Sequence, residues 1–266
     1  HDILCAQVLL TRDDLRSRGR FLHARNTFTR LLDWGVVPVV NENDTVAVQE
    51  LKFGDNDSLA SLVLNLVEGE LLINLTSASG VLSQNPLTAP DPADIPILEC
   101  IEDIGGLDIN ALCGGKTSVG TGGMHSKLLS ARRAAQLGVP TLILPGREER
   151  ILERAFDCQP VGTWVCPEPV HVSRRKYWMA YQSDPQGSVF LDEGAVEAVC
   201  RRNKSLLPGG VNGVEGGFSQ GALVRIMAGE RQLGGGLSNY SAADRRRVMG
   251  RQRLAGAAIL GDAHHP

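Results

Sequence analysis

The stretch RFLHARNTFTRLLDWG (20–35) followed at once by VVPVV (36–40) and NEND (41–44) decides the fold of this chain. Phe21, Ala24, Phe28, Leu31 and Leu32 recur at helical spacing, Gly35 breaks the pattern, and the β-branched run after it reads as a buried parallel strand. The same order recurs twice. Ser58 opens an apolar helical stretch to Val67 before a short strand over Glu70 to Leu75, and Lys127 to Leu137 forms a helix that Gly138 stops before a strand over Thr141 to Leu144. Helix-to-strand alternation of this kind predicts an α/β domain whose mainly parallel sheet is covered on both faces.

Outward from this core, the chain has 266 residues and a mass of 28.6 kDa with 42% apolar residues, enough for one large domain and one small one. A net charge of −3 and a pI near 6.1 exclude a protein given over wholly to nucleic acid, so any RNA-facing surface must be local. Cys5, Cys100, Cys113, Cys158, Cys166 and Cys200 form no C-x-x-C pair, which predicts reduced, mostly packed thiols rather than a zinc cage or a disulfide framework. Neither a membrane span nor a secretory leader is visible, and a cytoplasmic protein is expected. The chain opens on His1, and Ile3 to Thr11 reads as an apolar element from the middle of a fold, so an amino-terminal part is expected to be missing. Beyond about Thr163 the composition changes. Pro167, Pro169, Ser173 to Lys176 and Ser183 to Gly187 read as linker, with strands at Ser188–Leu191, Ser205–Leu207, Gly213–Phe218 and Leu223–Met227 and a helix at Glu193–Arg202 in a compact mixed β domain.

Three polar clusters carry the chemistry. GTGGMHSK (120–127) places flexible glycines, hydroxyls and a lysine before a helix. Backbone N–H groups can there approach phosphate oxygens while Lys127 supplies a compact positive charge. The spacing is not that of a Walker P-loop. NEND (41–44) follows the VVPVV strand and GDND (54–57) precedes the Ser58 helix, at positions where open α/β sheets place ligands. Asparagine and aspartate also favour turns and helix caps, but Asp44, Asn56 and Asp57 have the acceptors and donors needed for an amino acid's ammonium and carboxylate.

Together, VPVVNEND (37–44), FGDND (53–57) and GTGGMHSK (120–127) closely resemble the glutamate 5-kinases of the amino-acid kinase family, in order and in separation. The first two motifs set that group apart from acetylglutamate, aspartate and uridylate kinases of the same fold. The resemblance continues through RKYW (175–178), DEGA (192–195), SLLP (205–208) and FSQG (218–221) into what looks like the family's carboxy-terminal PUA domain, a small RNA-binding type of β barrel. It implies an amino-acid-kinase-like αβα sandwich over residues 1–165, a linker over 166–186 and a PUA-like barrel over 187–263.

By that resemblance Asp44 and Asn56 bind L-glutamate, with Asn41 and Asp55 in support. Lys127 acts on the transferring phosphoryl group, and Asp57 orients it, as the catalytic pair. Thr76 and Ser77 lie on the nucleotide side, and Thr121, Gly122, Gly123, Met124, His125, Ser126 and Lys127 form the ATP-binding turn. Taken alone, His125 at a helix start reads as a polar surface or capping residue. The family pattern Leu-Thr-Asp is here Leu75-Thr76-Ser77, which removes a carboxylate from position 77. The resemblance further implies ATP with Mg²⁺, the first step of proline biosynthesis, feedback inhibition by proline and a homo-oligomer with no membrane partner. The rival reading is an RNA-binding or regulatory PUA protein carrying an inactive kinase remnant. A basic patch of Arg245, Arg246, Arg247, Arg251 and Arg253, with Tyr240 as the nearest aromatic, speaks for it.

Overall fold

The computed structural model describes residues 2–46, 55–91, 94–113, 123–181, 184–202 and 204–248, and the chain divides into two compact units, His1–Tyr181 and Gln182–Pro266. The first unit runs β1 (Cys5–Leu10), α1 (Arg12–Arg16), α2 (Arg18–Asp33), β2 (Val37–Glu42), α3 (Asn56–Leu66), β3 (Leu72–Thr76), β4 (Val81–Leu82), β5 (Ile97–Leu98), β6 (Cys100–Ile101), α4 (Ile109–Cys113), α5 (Met124–Gln136), β7 (Thr141–Pro145), α6 (Ile151–Phe156), β8 (Thr163–Val165) and α7 (Arg174–Tyr181). Among the described residues β1 and β2 form a parallel pair, Leu9 opposite Asn41, while a separate sheet has the order β3-β7-β8-β6. Its β3/β7 and β6/β8 pairs are parallel and β7/β8 is antiparallel. The α/β class and the helix–strand repeats of the sequence reading are therefore present.

The buried parallel strand expected at 36–40 is not fully buried. Val37 and Val39 are 47% and 55% exposed, and with Leu9 they line an outward face of the β1/β2 ribbon, since alternate residues of paired strands share a face. Where the sheet is covered, α5 does it. Leu128, Ala131 and Ala135 pack against Val81, Ile101, Ile104, Ile109, Ile143 and Val165. Small residues on this stripe let the helix lie close to the strands. A polar tie fixes its position: buried Asn74 of β3 donates through Nδ2 to Ser130 Oγ at 3.3 Å.

The antiparallel strand β8 was not foreseen, because it follows a six-residue helix and is only three residues long. Gly162 makes its approach possible. Its φ is +68°, and a Cβ there would lie 2.2 Å from the carbonyl oxygen of Ile143 in β7. Gly162→Ala must therefore strain the backbone and part β8 from β7, at a cost of about 3 kcal/mol. A fall in Tm of roughly 6–12 °C is expected in thermal unfolding. A shift under 2 °C would show that the strand can move aside freely.

The linker expected over 166–186 is in part a packed helix. In α7, Tyr177 is fully buried and Trp178 is 5% exposed. The Tyr177 hydroxyl donates to the Ser61 carbonyl at 3.2 Å, Trp178 Nε1 donates to the Leu15 carbonyl at 2.9 Å, and Arg174 donates to the carbonyls of Leu64 and Gly69. The composition around 174–176 looks polar, yet Arg174 is consumed in holding the C-terminal end of α3. Burial pushes the Tyr177 phenol up to about 12, so it remains a neutral donor at working pH.

The second unit comprises β9 (Gly187–Leu191), α8 (Glu193–Cys200), a 3-10 turn (Pro208–Gly210), β10 (Val211–Gly216), β11 (Leu223–Ala228), β12 (Arg231–Leu237) and α9 (Ala242–Val248). The sheet order is β10-β9-β11-β12, with β9/β11 parallel and the other pairs antiparallel. Val189, Leu191, Ala195, Val211, Phe218, Val224 and Ala242 form its core. Asp192 caps α8 by accepting from the Ala195 N–H at 2.7 Å. Residues 205–207 are not a strand, and β12 occupies the RQLGGGL run that strand propensity passes over. Gly234, Gly235 and Gly236 face Ile226, Arg225 and Val224 across the ladder. A Cβ at Gly236 would come within 3.3 Å of Ile226 Cδ1. Pairing with β11 outweighs the poor strand propensity of glycine.

Candidate active site

The site begins with two helix starts. Asp55 stands at the N-cap of α3 and accepts the Ser58 N–H at 2.6 Å, so the side chain expected to support substrate is committed to capping that helix. Asn56 and Asp57 then occupy the first turn, Asn56 exposed and Asp57 directed towards α5. At α5 the N-cap is Gly123, whose N–H donates to Ser126 Oγ at 3.1 Å. Helices α3 and α5 pack against each other, and this brings their first turns together.

The junction is a three-residue cluster. Lys127 Nζ lies 3.0 and 3.2 Å from the two carboxylate oxygens of Asp57, with both side chains 15% exposed. The Ser126 hydroxyl donates to the same carboxylate at 2.5 Å. Two positive helix ends and one lysine meet a single carboxylate, leaving the partial charges of two sets of first-turn N–H groups to favour an anion. Arg133 ties the pair of helices together further along, donating to Ser61 Oγ at 3.3 Å and lying 5.7 Å from the centre of the Tyr181 ring.

Other expected site residues lie on β2, on β3 and in the segments that follow them. Asn41 is exposed near the end of β2, and Asp44 is exposed two residues beyond that strand. Helix α3 packs on β2, so both motifs expected to bind glutamate belong to neighbouring elements. Thr76 ends β3 and accepts the Ala78 N–H at 3.4 Å, and Ser77 is exposed in the bend that follows. Met124 packs its side chain against the apolar core, leaving only its backbone for an anion. His125 pairs with Asn110 of α4 at 2.9 Å, as a surface or capping histidine would. Thr121 and Gly122 lie outside the described residues.

Sequence reasoning placed Ser126 in the nucleotide turn. The structure engages its hydroxyl with Asp57 and Gly123. Asn74, Ser130 and Arg133, which hold α5 against β3 and α3, were missed. The only signal available was polar residues within an otherwise apolar helix-and-strand pattern.

The basic patch is smaller than expected. Arg245 is 7% exposed, stacks 5.4 Å from the Tyr240 ring centre and has its pKa lowered by burial, with Tyr240 opposing that shift. The Arg245 guanidinium is thereby turned into the fold, while Tyr240 stays half-buried. Arg246 donates to the Gly216 carbonyl at 2.7 Å, Arg247 is paired with Asp244 at 3.9 Å, and Arg251 and Arg253 lie outside the described residues. The expectation of mostly packed thiols also fails: Cys5, Cys100, Cys158 and Cys200 are exposed. Among the described residues no group of three or more His, Cys, Asp or Glu is placed to hold a metal, and no helix is long and apolar enough to cross a membrane.

Comparison with known proteins places the chain in a family. The profile of the amino acid kinase family matches residues 1–145 and that of the PUA domain matches residues 187–255. A glutamate 5-kinase of Nitratidesulfovibrio vulgaris is 67% identical over 99% of this chain and 69% of its own length. Those of Oleidesulfovibrio alaskensis and Maridesulfovibrio salexigens are 61% and 54% identical, over 100% and 99% of this chain and 69% and 70% of their own lengths. With its two matched domains and this degree of identity, the chain belongs to the glutamate 5-kinases of the amino acid kinase family.

Proposed function

We propose that this protein transfers the γ-phosphoryl group of ATP to the γ-carboxylate of L-glutamate, giving γ-glutamyl 5-phosphate in the first step of proline biosynthesis. The 67% identity to a glutamate 5-kinase over nearly the whole chain carries the reading. The Lys127–Asp57 pair at two converging helix starts supplies its chemistry. A glutamate side chain has an unperturbed pKa of about 4.3, so its carboxylate is already an ionised nucleophile at neutral pH and needs no general base. What remains is alignment and neutralisation of phosphate charge. In this reading Asp44 and Asn56 hold glutamate with Asn41 and Asp55 beside them. Asp57 positions Lys127 over the transferring group. Thr76, Ser77 and the 121–127 turn hold the nucleotide through backbone N–H groups more than through side chains.

The described residues offer no carboxylate cage, and Asp57 is already engaged by Lys127 and Ser126. Mg²⁺ therefore fits as the ion carried on ATP, ligated by phosphate oxygens and water. Bound there, it supplies further charge neutralisation. Feedback inhibition by proline, homo-oligomeric assembly and a cytoplasmic location go with the same reading.

The test is trapping of acyl phosphate by hydroxylamine in the full-length protein. Hydroxamate and ADP should form in equal amounts and only when both L-glutamate and ATP are present. Hydroxamate from aspartate or acetylglutamate, with none from glutamate, would overturn the assignment. A second reading, RNA binding by the PUA domain, is favoured by the match over residues 187–255. A gel shift with structured RNA should then appear at about 50 mM salt and vanish by roughly 200 mM. No shift at the lower salt removes it.

A further inference from the structure

Cys100 and Cys166 bring their sulfurs to 3.7 Å, the one pair of thiols in contact among the described residues. Cys100 opens β6 and Cys166 directly follows β8. The strands are held in register by Trp164 N–H donating to the Glu99 carbonyl and Cys166 N–H donating to the Ile101 carbonyl, both at 2.9 Å. Cys100 is exposed and Cys166 half-buried, so an oxidant can reach the pair from solvent. The register sets Cys100 opposite Trp164, one pleat short of Cys166. Closing the sulfurs to the roughly 2.05 Å of a disulfide therefore requires movement of a strand end as well as rotation of the side chains. Strand β6 can supply it, being two residues long and at the edge of the β3-β7-β8-β6 sheet, paired within that sheet to β8 alone.

We propose that Cys100 and Cys166 are a redox-modifiable dithiol, oxidised by hydroperoxides to a disulfide that staples β6 to β8. One thiolate attacks the peroxide oxygen, forming an S–O bond as the O–O bond breaks and the alcohol or water leaves with a proton. The second thiolate then attacks the sulfenic sulfur, the S–S bond forms, and hydroxide departs to take up the released proton as water. Two thiols and one hydrogen peroxide thus give one disulfide and two waters. The two cysteines stand 66 positions apart, and the segment between them includes α5 with Lys127, so the staple closes a long loop around the phosphate side of the proposed site. Burial, reinforced by the Cys166 sulfur, raises the Cys100 pKa. Oxidation should accordingly speed up towards alkaline pH as the thiolate fraction grows.

The test is peptide mapping of the full-length protein after titration with hydrogen peroxide, with and without dithiothreitol. The expected result is one reducible cross-linked peptide joining Cys100 to Cys166, loss of two thiols, and a Tm about 5–10 °C higher than that of the reduced protein. C100S and C166S should each abolish the cross-link and the Tm rise, whereas C158S should leave both. A cross-link between other cysteines, or sulfinic acid at Cys100 or Cys166 with no cross-link, overturns the proposal. The wild-type map alone decides the case should either serine variant fail to fold.

Discussion

Lys127→Met should lower kcat of the full-length kinase by about two orders of magnitude, equivalent to roughly 3 kcal/mol of transition-state stabilisation. The methionine keeps the length and most of the packing of the stem while removing the charge that is proposed to face the phosphoryl group. Because glutamate is held by other residues in this reading, its KM should change by less than about threefold, and the loss should fall on the chemical step. Asp57 would be left with Ser126 as its nearby donor in a setting only 15% exposed, so some loss of stability accompanies the kinetic change. Circular dichroism and thermal unfolding separate the two effects. An unchanged kcat in a folded Lys127→Met protein would remove Lys127 from the phosphoryl site.

Asp57→Asn is expected to reduce kcat by about 10- to 30-fold, less than loss of the lysine itself. Asparagine retains an oxygen for the Ser126 hydroxyl but can no longer neutralise and aim the ammonium group, which now lies 3.0 Å from the carboxylate. If Asp57 works through Lys127, the two substitutions cannot add. The double variant should be within about threefold of Lys127→Met alone, which a purely structural role for Asp57 would not produce. Additive losses in the double-mutant cycle would show that the aspartate acts independently. Ser126 belongs to the same unit through its bond to Asp57, so Ser126→Ala should share part of the effect without any direct contact to nucleotide.

Most of the first unit was legible because its elements carry strong local signals. The apolar spacing of 20–35, the stop at Gly138 and the run VVPVV all correspond to α2, α5 and β2 within a few residues. Elements read poorly where tertiary partners overrule local preference. Arg174 to Tyr181 looks like linker until Tyr177 and Trp178 find backbone carbonyls on α3 and α1. RQLGGGL becomes β12 because β11 offers a ladder and the glycines leave room for Ile226. Strand β8 exists because Gly162 lets the chain pass against the Ile143 carbonyl.

For the site, the sequence alone determined the cast: an acidic and amide-rich motif after one strand, another before a helix, and a lysine behind glycines in a third. It did so because each motif is a local requirement of caps, turns and anion contacts. Only the tertiary structure decided which of these side chains meet. It paired Lys127 with Asp57, diverted Ser126 to that carboxylate, spent Asp55 on a helix cap and sank Arg245 beneath Tyr240. Charge pairing and burial depend on distances between residues far apart in the chain, here about 70 positions for Asp57 and Lys127, and those distances are set by packing rather than by neighbouring residues.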